Sequence, residues 1–445
     1  MTSPTRGRVF RYEGYDVEPA ANRVTCRYSL DGRGFAERVT FPAGGRWDDP
    51  AVDEAARWVF LLAGVSYYKT AAPPSIELPA TPLRPPEVEF LRSFYVDGLG
   101  EYAYRNGLDL AGLGIEAPAL EQAPLTARDE VEKRPLVPFG GGIDSIVTVE
   151  LVRRHADAAL FVVGRPGDRF AAIERPAAVT GLPVVRAERE IDDQVLRSGE
   201  LGFLNGHVPV TGIISAIAMT AAALGGRDAV VMSNEWSSSV GNVEVDGRSI
   251  NHQFSKSYAF EAGFRAVLAQ SLGSGIDYFS RLRPYTELLI AERFAGLTNY
   301  HQAFQSCNRG FHIDPAQRLD HWCGRCDKCA FIDLIRAPFV AAPALRQVFA
   351  GSEPLDDLTL LPRFEALVDT SGDLKPWECV GDVDECRAAV ALASVRPDRA
   401  DSPVLRVLVD RLGERLPHPG AIDSLMLPLG EHFVPDAYAT SDLLV

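Results

Sequence analysis

The pattern of apolar and polar residues predicts a change of architecture along the chain. Between residues 8 and 42, apolar and polar residues alternate in short runs that are broken by Gly and Asp-Gly, which is typical of β-hairpins. Residues 53–69 and 87–107 instead place apolar side chains at helical spacing, with a proline-dense stretch between them. We therefore predict an N-terminal α+β domain over residues 1–115.

A segment rich in proline and charge, residues 116–135, has few large apolar residues, and we interpret it as a linker. After it, short apolar runs alternate with helical patterns, which indicates a doubly wound parallel sheet covered on both faces. We predict this α/β domain over residues 136–345 and a helical C-terminal region over residues 346–445. Strands are predicted at residues 136–139, 158–165, 182–189 and 228–234, and helices at 144–154 and 208–224.

Composition and charge narrow the class of protein. The chain has 445 residues, of which 46% are hydrophobic and 24% are charged, the balance of an ordinary globular protein. Its formal net charge of −15 disfavours binding to nucleic acid or anionic lipid and favours a small-molecule substrate. The N-terminus lacks an apolar signal segment, and residues 208–226 are short and rich in Ala, so we predict a cytoplasmic protein without a membrane span. The oligomeric state stays open.

Three consecutive glycines mark the first candidate site. Gly140, Gly141 and Gly142 lie between the first predicted strand and the first predicted helix of the α/β domain, where doubly wound sheets bind ligands. Glycine permits a positive φ and a close approach of bare N–H groups, and the helix N-terminus adds partial positive charge. We predict a phosphate-binding loop here. The alternative is a glycine-rich turn without a ligand.

This loop fits neither the Walker pattern nor the dinucleotide-binding pattern. It resembles the pyrophosphate loop of the N-type ATP pyrophosphatases, the PP-loop superfamily, which is written Ser-Gly-Gly-x-Asp-Ser. Gly140 stands in place of the usual Ser, and the rest of the pattern is met by Gly141, Gly142, Asp144 and Ser145. The resemblance implies an α/β fold of the adenine nucleotide α-hydrolase type and cleavage of ATP between its α and β phosphates. It also implies that Asp144 and Ser145 contact pyrophosphate and Mg²⁺, the acid through the metal.

Four of the seven cysteines form the second candidate site. They are Cys307, Cys323, Cys326 and Cys329. Two overlapping Cys-x-x-Cys steps and an upstream thiol can supply four thiolates to one tetrahedral Zn²⁺. An iron–sulfur cluster and a set of packed free thiols are alternatives. The surrounding stretch also resembles the matching region of 7-cyano-7-deazaguanine synthase, a member of the same superfamily, which implies a structural zinc.

Six further stretches resemble one family of this superfamily. They are GVSYYK (64–69), YVDGLGEYAYRN (95–106), NGHVPVTGIISAIA (205–218), SNEWSSSVGN (233–242), INHQFSKSYAFE (250–261) and KPWECVGDVDEC (375–386). As a set they resemble the ATP-dependent UDP-N-acetylmuramoyl-L-alanyl-L-glutamate epimerases, the MurL family, from about residue 50 to 390. The resemblance implies that the terminal glutamate of a small UDP-sugar dipeptide is inverted during peptidoglycan precursor synthesis. It also implies that ATP is consumed and that AMP and diphosphate are released.

The implied chemistry is physically coherent. A carboxylate suppresses the acidity of its α-carbon, because removal of that proton creates a dianion. Conversion to an acyl-adenylate removes the charge and provides an electron sink, so a modest base can take the proton. Return of a proton on the other face inverts the centre, and hydrolysis restores the acid. Neither pyridoxal nor flavin is needed.

Five residues outside the loop and the cysteine set are candidates for contact with nucleotide or substrate. Asn234 and Glu235 follow a predicted strand and are expected near its carboxyl end; the alternative is a surface turn. His252 and Lys256 share a face if their stretch is helical, and a lowered pKa would let Lys256 act as a base. A solvated surface pair is the alternative. His207, before the apolar helix, contacts ligand or is a polar group at the helix start.

Two cysteines and residues 67–69 are further candidates for a role in the site. Cys379 is comparable to the thiols that act as acid and base in cofactor-independent racemases, and Cys386 is a possible functional partner for it. The alternative is that both are small packed hydrophobes. Tyr67, Tyr68 and Lys69 are candidates for binding the anionic end of the substrate or for the core.

Two other functions are open at this point. One is a different adenylating PP-loop enzyme that forms a deazaguanine or an amide or modifies tRNA. Residues 1–115 lack an N-terminal Cys nucleophile of the kind a glutaminase uses, and the negative charge disfavours tRNA. The other is a non-catalytic, zinc-stabilised nucleotide-binding scaffold, which Gly140 in place of Ser would favour.

Overall fold

A mixed ten-stranded β-sheet is the framework of the computed structural model, which describes residues 6–121, 132–154, 157–245, 247–273, 275–369 and 376–439. Residues 122–131 of the predicted linker and Lys375 of the last MurL-like stretch lie outside these ranges. Six of the nine strand pairs of the sheet are parallel within the described residues. The predicted α/β class with a mostly parallel sheet is therefore confirmed.

The strands follow one another in a mixed order across the sheet. In chain order they are β1 (Val9–Glu18), β2 (Arg23–Leu30), β3 (Arg33–Thr40), β4 (Ser75–Glu77), β5 (Gly114–Glu116), β6 (Pro135–Pro138), β7 (Ala159–Gly164), β8 (Val184–Glu190), β9 (Ala229–Met232), β10 (Val243–Val245), β11 (Arg248–Ile250) and β12 (Asp277–Ser280). The large sheet has the order β12-β9-β6-β7-β8-β3-β2-β1-β4-β5. Strands β10 and β11 form a separate hairpin.

The helices lie on both faces of the sheet and dominate the C-terminal part. They are α1 (Pro50–Ala63), α2 (Val65–Tyr68), α3 (Pro85–Val96), α4 (Gly100–Asn106), α5 (Ile143–Val152), α6 (Ala171–Thr180), α7 (Asp193–Leu196), α8 (Val210–Gly225), α9 (Tyr258–Ser271), α10 (Glu287–Ala295), α11 (Asp327–Arg336), α12 (Ala342–Val348), α13 (Leu361–Val368), α14 (Val383–Ser394), α15 (Pro403–Leu412) and α16 (Pro419–Leu425). Every regular element that the structure describes after residue 346 is helical, as predicted.

The parallel strands bury apolar side chains on both faces. In β7, Ala159 and Phe161 belong to one buried cluster, whereas Leu160 and Val162 belong to the other. The first cluster packs the sheet against α1 and α8, and the second packs it against α5, α10, α11 and α13–α15. This agrees with the predicted covering of both faces, and it explains why these strands are apolar runs without alternation.

An antiparallel seam between β3 and β8 joins the N-terminal strands to the parallel strands. Residues 38–40 pair with residues 188–190. Beside this seam the Glu37 carboxylate is fully buried and accepts hydrogen bonds from Arg189 Nε at 2.7 Å and from the Tyr67 hydroxyl at 2.8 Å. The sheet thus continues from the region predicted as the N-terminal domain into the region predicted as the α/β domain.

Several short strands were not predicted. Strands β4, β5, β10 and β11 have three residues each, and β12 has four, so none of them spans enough residues to show a clear period in the sequence. The buried helix α8 spans 16 residues, and no described helix has both the length and the apolar character of a membrane span.

The buried pair of Glu37 and Arg189 generates the first prediction. We expect Arg189→Leu to lower the free energy of unfolding by about 3–5 kcal/mol, because it leaves the Glu37 carboxylate buried without a cation. Arg38→Ala is the matched control on the same strand pair. Arg38 and Glu190 form an exposed ion pair at 2.6 Å, so its loss should cost less than about 1 kcal/mol. Urea unfolding measures both variants, and equal small effects would contradict the role of the buried pair.

Candidate active site

The predicted phosphate loop connects β6 to the N-terminus of α5. Gly141 has a φ of 77°, and a Cβ at this position would lie 2.4 Å from the carbonyl O of Ala172, so the loop requires glycine there. Gly142 is extended and immediately precedes α5. The backbone N–H groups of residues 140–145 donate no hydrogen bond to any residue that the structure describes. Free amides at the first turn of a ten-residue helix form a cradle suited to an anion.

Two serine side chains, those of Ser145 and Ser306, lie at this loop. The Ser145 hydroxyl donates to the Gly142 carbonyl O at 3.0 Å, so it stabilises the turn. Gly140, which stands where PP-loop proteins have Ser, is exposed and has open space around it. The Ser306 Oγ is buried without a partner among the described residues, and a Cβ on Gly142 would lie 3.7 Å from the Ser306 Cβ. Ser306 therefore places a hydroxyl beside the loop.

Three carboxylates meet next to the loop. Asp144, Glu235 and Glu287 have oxygen atoms that all lie within 4.8 Å of one another. Burial raises the pKa of Asp144 to about 6, and the Glu235 carboxylate acts in the same direction. Burial and Asp144 also raise the pKa of Glu287. Asp144 Oδ1 and Glu287 Oε2 are buried and have no hydrogen-bond partner among the residues that the structure describes. Clustered oxygen ligands with unpartnered atoms fit a hard divalent cation such as Mg²⁺.

Lys256 lies between these carboxylates and the Cys379 thiol. Burial alone would lower its pKa, but Cys379, Glu235 and Asp144 raise the pKa of Lys256 above its usual range. Lys256 therefore stays a cation near neutral pH. This corrects the expectation of a lowered pKa, because the sequence did not show how many anions surround the ammonium group.

Buried Arg283 fixes the backbone at Glu235 and at Lys256. Its Nη1 donates to the Glu235 carbonyl O at 2.7 Å, and its Nη2 donates to the Lys256 carbonyl O at 2.5 Å. Its Nε is paired with Glu261 at 2.9 Å. One guanidinium thus sets the positions of a carboxylate and an ammonium that are distant in sequence.

Cys379, His252 and Glu101 form a chain of hydrogen bonds. His252 Nδ1 lies 2.5 Å from Glu101 Oε2, and its side chain is hydrogen-bonded to Cys379. Burial alone would lower the pKa of His252, but these two partners raise it to about 9. Burial alone would raise the pKa of the Cys379 thiol, but Lys256 and His252 lower it to about 6. Near neutral pH the pair is therefore a thiolate beside an imidazolium.

The stretch that carries His252 and Lys256 is not one helix. His252 follows β11, and Lys256 ends a single 3₁₀ turn, Phe254–Lys256. The two side chains nevertheless converge, because both are hydrogen-bonded to Cys379. The predicted shared helical face is therefore wrong for this stretch.

His207 packs against His252 with their ring centroids 4.2 Å apart. Burial, and then the charge of His252, lower the pKa of His207 to about 4, so it is neutral. Glu101, His207 and His252 also have the spacing of metal ligands. His252 of this group is also hydrogen-bonded to Cys379, so the group lies beside the thiol.

Buried Lys69 positions the loop of His207. Its ammonium donates to Asn205 Oδ1 at 2.6 Å and to the Gly206 carbonyl O at 3.2 Å. Burial lowers the pKa of Lys69 to about 8. Lys69 therefore stabilises the loop that carries His207.

Cys379 belongs to a segment, residues 376–382, which we call the strap. Lys328 Nζ donates to the Cys379 carbonyl O, and Asn308 Nδ2 donates to Glu378 Oε1 at 2.8 Å. Asn242 Nδ2 donates to the carbonyl O of Pro376 at 2.9 Å. Lys328 and Asn308 are sequence neighbours of two of the four clustered cysteines. We call residues 307–329, which include the four cysteines, the cysteine module. It contacts the strap directly.

The four predicted ligand cysteines lie together. Sγ–Sγ distances are 3.4 Å for Cys326 and Cys329, 3.6 Å for Cys323 and Cys329, and 4.0 Å for Cys307 and Cys326. A tetrahedral Zn²⁺ with Zn–S bonds of about 2.3 Å requires sulfur atoms roughly 3.8 Å apart. The thiol arrangement therefore fits one such ion.

Other candidates lie in the core or serve the backbone. Tyr67 and Tyr68 are fully buried and bond Glu37 and the Pro73 carbonyl O. Cys386 is fully buried in α14. Asn234 is nearly buried, and its carbonyl O accepts from Ser280 Oγ at 2.6 Å.

Three residues of the site were missed from the sequence. Glu101 lies in one of the six MurL-like stretches. Glu287 lies in the stretch before the cysteines that resembles 7-cyano-7-deazaguanine synthase, and Lys328 lies inside the cysteine motif. Each is a common charged residue on a helix, so only its long-range partners identify it. The residues that the structure brings together are Glu101, His207, His252, Lys256, Cys379, Asp144, Glu235, Glu287 and Lys328.

Comparison with known proteins gives matches over nearly the whole chain. The model of the MurL N-terminal domain matches residues 1–281, and that of the MurL C-terminal domain matches residues 303–421. No solved structure matches the chain.

Three relatives carry the name UDP-N-acetyl-alpha-D-muramoyl-L-alanyl-L-glutamate epimerase. The protein from Xanthomonas oryzae pv. oryzae is 37% identical over 435 residues, which are 96% of this chain and 95% of that protein. The protein from Salinispora tropica is 37% identical over 442 residues, 97% and 94% of the two chains. The protein from a Micromonospora species is 38% identical over 440 residues, 97% and 96% of the two chains. With the two domain models and these relatives in agreement, the chain belongs to the MurL family of epimerases.

Proposed function

We propose that this protein inverts the terminal glutamate of UDP-N-acetylmuramoyl-L-alanyl-L-glutamate in an ATP-dependent reaction that releases AMP and diphosphate. The relatives' printed name supplies the substrate and the inversion. The ATP dependence and the acyl-adenylate rest on the loop at residues 140–145 and on its likeness to PP-loops.

One observation carries this proposal. Lys256 interacts with Cys379 on the one hand and with Glu235 and Asp144 on the other. This supports a single site for the predicted phosphate loop and for the residues to which we assign proton transfer, His207, His252 and Lys256. A carboxylate placed there can meet the α-phosphate of ATP and then lose its α-proton without moving between sites.

The loop and the acid cluster are assigned to activation. Free amides of residues 140–145 would hold the departing diphosphate, and Asp144, Glu235 and Glu287 would hold Mg²⁺. Bound Mg²⁺ neutralises phosphate charge during attack by the substrate carboxylate. A cation there would also relieve the repulsion among the three acids.

The residues around the thiol are assigned to proton transfer. Inversion requires one proton to leave the α-carbon and another to return on the opposite face. His207 is neutral, whereas His252 and Lys256 are cationic, so the group holds both basic and acidic sites near neutral pH.

We also propose a structural zinc on the four cysteines. Its role follows from the two contacts between the cysteine module and the strap, from Lys328 to Cys379 and from Asn308 to Glu378. The ion would hold these two donors in place and so fix the position of the thiol.

The reaction itself gives the second prediction. Purified protein with the dipeptide substrate, ATP and Mg²⁺ should convert L-glutamate to a mixture of both configurations, with AMP and diphosphate as the nucleotide products. Chiral analysis of the glutamate after acid hydrolysis of the dipeptide, together with chromatography of the nucleotides, measures both. Omission of ATP is the control. Conversion without ATP, or ADP as the product, would contradict the proposal.

The acid cluster gives the third prediction. Asp144→Asn and Glu287→Gln should each slow AMP formation by on the order of 100-fold or more, because each removes charge from the proposed Mg²⁺ site. The same variants should need more Mg²⁺ for half-maximal rate. Glu89→Gln, on the surface of α3, is the control and should leave both quantities unchanged. An unaltered Mg²⁺ requirement in both variants would place the ion elsewhere.

The thiolate gives the fourth prediction. The rate at which iodoacetamide alkylates Cys379 should rise with pH through a midpoint of about 6, because the thiolate is lost only below its pKa. Lys256→Met should move this midpoint upward, since it removes the cation that stabilises the thiolate. Mass spectrometry of the labelled peptide, with Cys379→Ser as the background, follows the reaction. A midpoint near the ordinary value of about 8.5 would refute the ion pair.

A further inference from the structure

Cys379, His252 and Glu101 have the order of a nucleophile, its proton partner and an orienting acid. The sulfur is hydrogen-bonded to the His252 side chain, and Nδ1 of the same ring lies 2.5 Å from Glu101 Oε2. This is the arrangement that activates nucleophilic thiols in unrelated enzymes, where the third group fixes the ring.

We propose that Cys379 is a nucleophile and that the substrate is inverted while it is bound to this residue as a thioester. The inference rests on the proposed function, because an acyl-adenylate must form first. It assigns the residue a bond to the carbonyl carbon, with the hydrogen at the α-carbon left to His207, His252 and Lys256.

The step is balanced in atoms and electrons. The Cys379 thiolate attacks the carbonyl carbon of the acyl-adenylate, a C–S bond forms, the C–O bond to the phosphate breaks, and AMP leaves with that electron pair. One proton leaves the α-carbon and one returns on the other face. Water then attacks the thioester, the C–S bond breaks, and the thiolate and the free carboxylate are regenerated. No oxidant or reductant takes part.

The chemistry favours this order of events. Sulfur donates less electron density to a carbonyl than oxygen does, so the α-hydrogen of a thioester is more acidic than that of an ester or a carboxylate. Transfer to sulfur also lets AMP depart while the acyl group stays in the site. Lys256 and His252 both contact the sulfur, so an acyl group attached there begins beside two groups that carry protons.

The placement of the thiol is consistent with covalent chemistry. Cys379 is partly exposed, whereas Cys26 and Cys386 are fully buried. Its backbone is held by Lys328 through the carbonyl O, and the next residue's carbonyl, that of Val380, accepts from Gln253 Nε2 at 3.5 Å. A thiol on a fixed strap can meet a carbonyl carbon at one defined position, which is what a nucleophile requires.

The test is a single-turnover experiment with the full-length protein at a concentration above that of radiolabelled dipeptide, with ATP and Mg²⁺. The reaction is quenched in acid at short times, and protein-bound label, AMP and glutamate configuration are measured on the same samples. We expect acid-stable label on Cys379, with a mass increase equal to the substrate minus water, that neutral hydroxylamine releases. Cys26→Ala, a buried cysteine of the N-terminal core, is the control and should behave as the wild type.

Variants separate this inference from the proposed function. Diphosphate is measured on the same samples, because it is released when the acyl-adenylate forms, before the thiol acts. Cys379→Ala should still form diphosphate and acyl-adenylate in a single turnover but should carry no label and invert no glutamate. Cys379→Ser should accumulate an oxygen ester that resists neutral hydroxylamine, which traps the acyl-enzyme even if the thioester turns over quickly. Glu101→Gln should slow labelling and AMP release together while diphosphate formation is unchanged, as expected of a residue that positions the thiol's partner.

Three results would overturn the inference. One is wild-type protein that forms AMP and inverts glutamate while neither it nor Cys379→Ser acquires label. Another is inversion by Cys379→Ala at the wild-type rate. The third is absence of AMP in every sample, which would remove the proposed function and the thioester together.

Discussion

The site depends on one cation, the ammonium group of half-buried Lys256. The Cys379 thiolate and the Asp144 and Glu235 carboxylates all act on it, and all three raise its pKa. Without a cation these negative groups would repel one another in a space that water screens poorly. Lys256 therefore permits a thiolate and an acid cluster to lie close together. Arg283 makes this possible by binding the backbone carbonyls of Glu235 and Lys256.

The cysteine module extends this arrangement to the C-terminal helices. Lys328 lies in the first turn of α11 beside Cys329 and donates to the carbonyl O of Cys379, so the strap is held by the segment that carries the four cysteines. Glu385 of α14 accepts the backbone N–H of Glu287 at 3.0 Å, which fixes the start of α10 and one member of the acid cluster. The C-terminal helices thus complete the site as well as covering the sheet. This is consistent with the match of the MurL C-terminal domain model over residues 303–421.

The sequence predicted those features that depend on neighbours in the chain. The hairpins of β1–β3, the apolar strands β6–β9 and the buried helix α8 each have a period or a composition that shows their state. Gly141 and the four cysteines were found because their chemistry is carried by short motifs. Long-range partners were not visible in this way. Glu101 and His252 are 151 residues apart, and nothing near either residue in the sequence indicates the other. Lys69 was a candidate for substrate binding, and in the structure it holds the loop of His207. Its partners Asn205 and Gly206 are also distant in sequence, so the sequence did not indicate this role.

The central claim is that the substrate carboxylate attacks the α-phosphate of ATP at the loop of residues 140–145. The most direct measurement uses dipeptide whose terminal glutamate carries ¹⁸O in its α-carboxylate. Mass spectrometry of the AMP formed with Mg²⁺ then follows the oxygen. If the carboxylate forms an acyl-adenylate, each AMP molecule should carry one ¹⁸O atom from the substrate. Unlabelled AMP would mean that water attacks the phosphate, and ¹⁸O in inorganic phosphate released alongside ADP would mean that the γ-phosphate is transferred; either result would contradict the account.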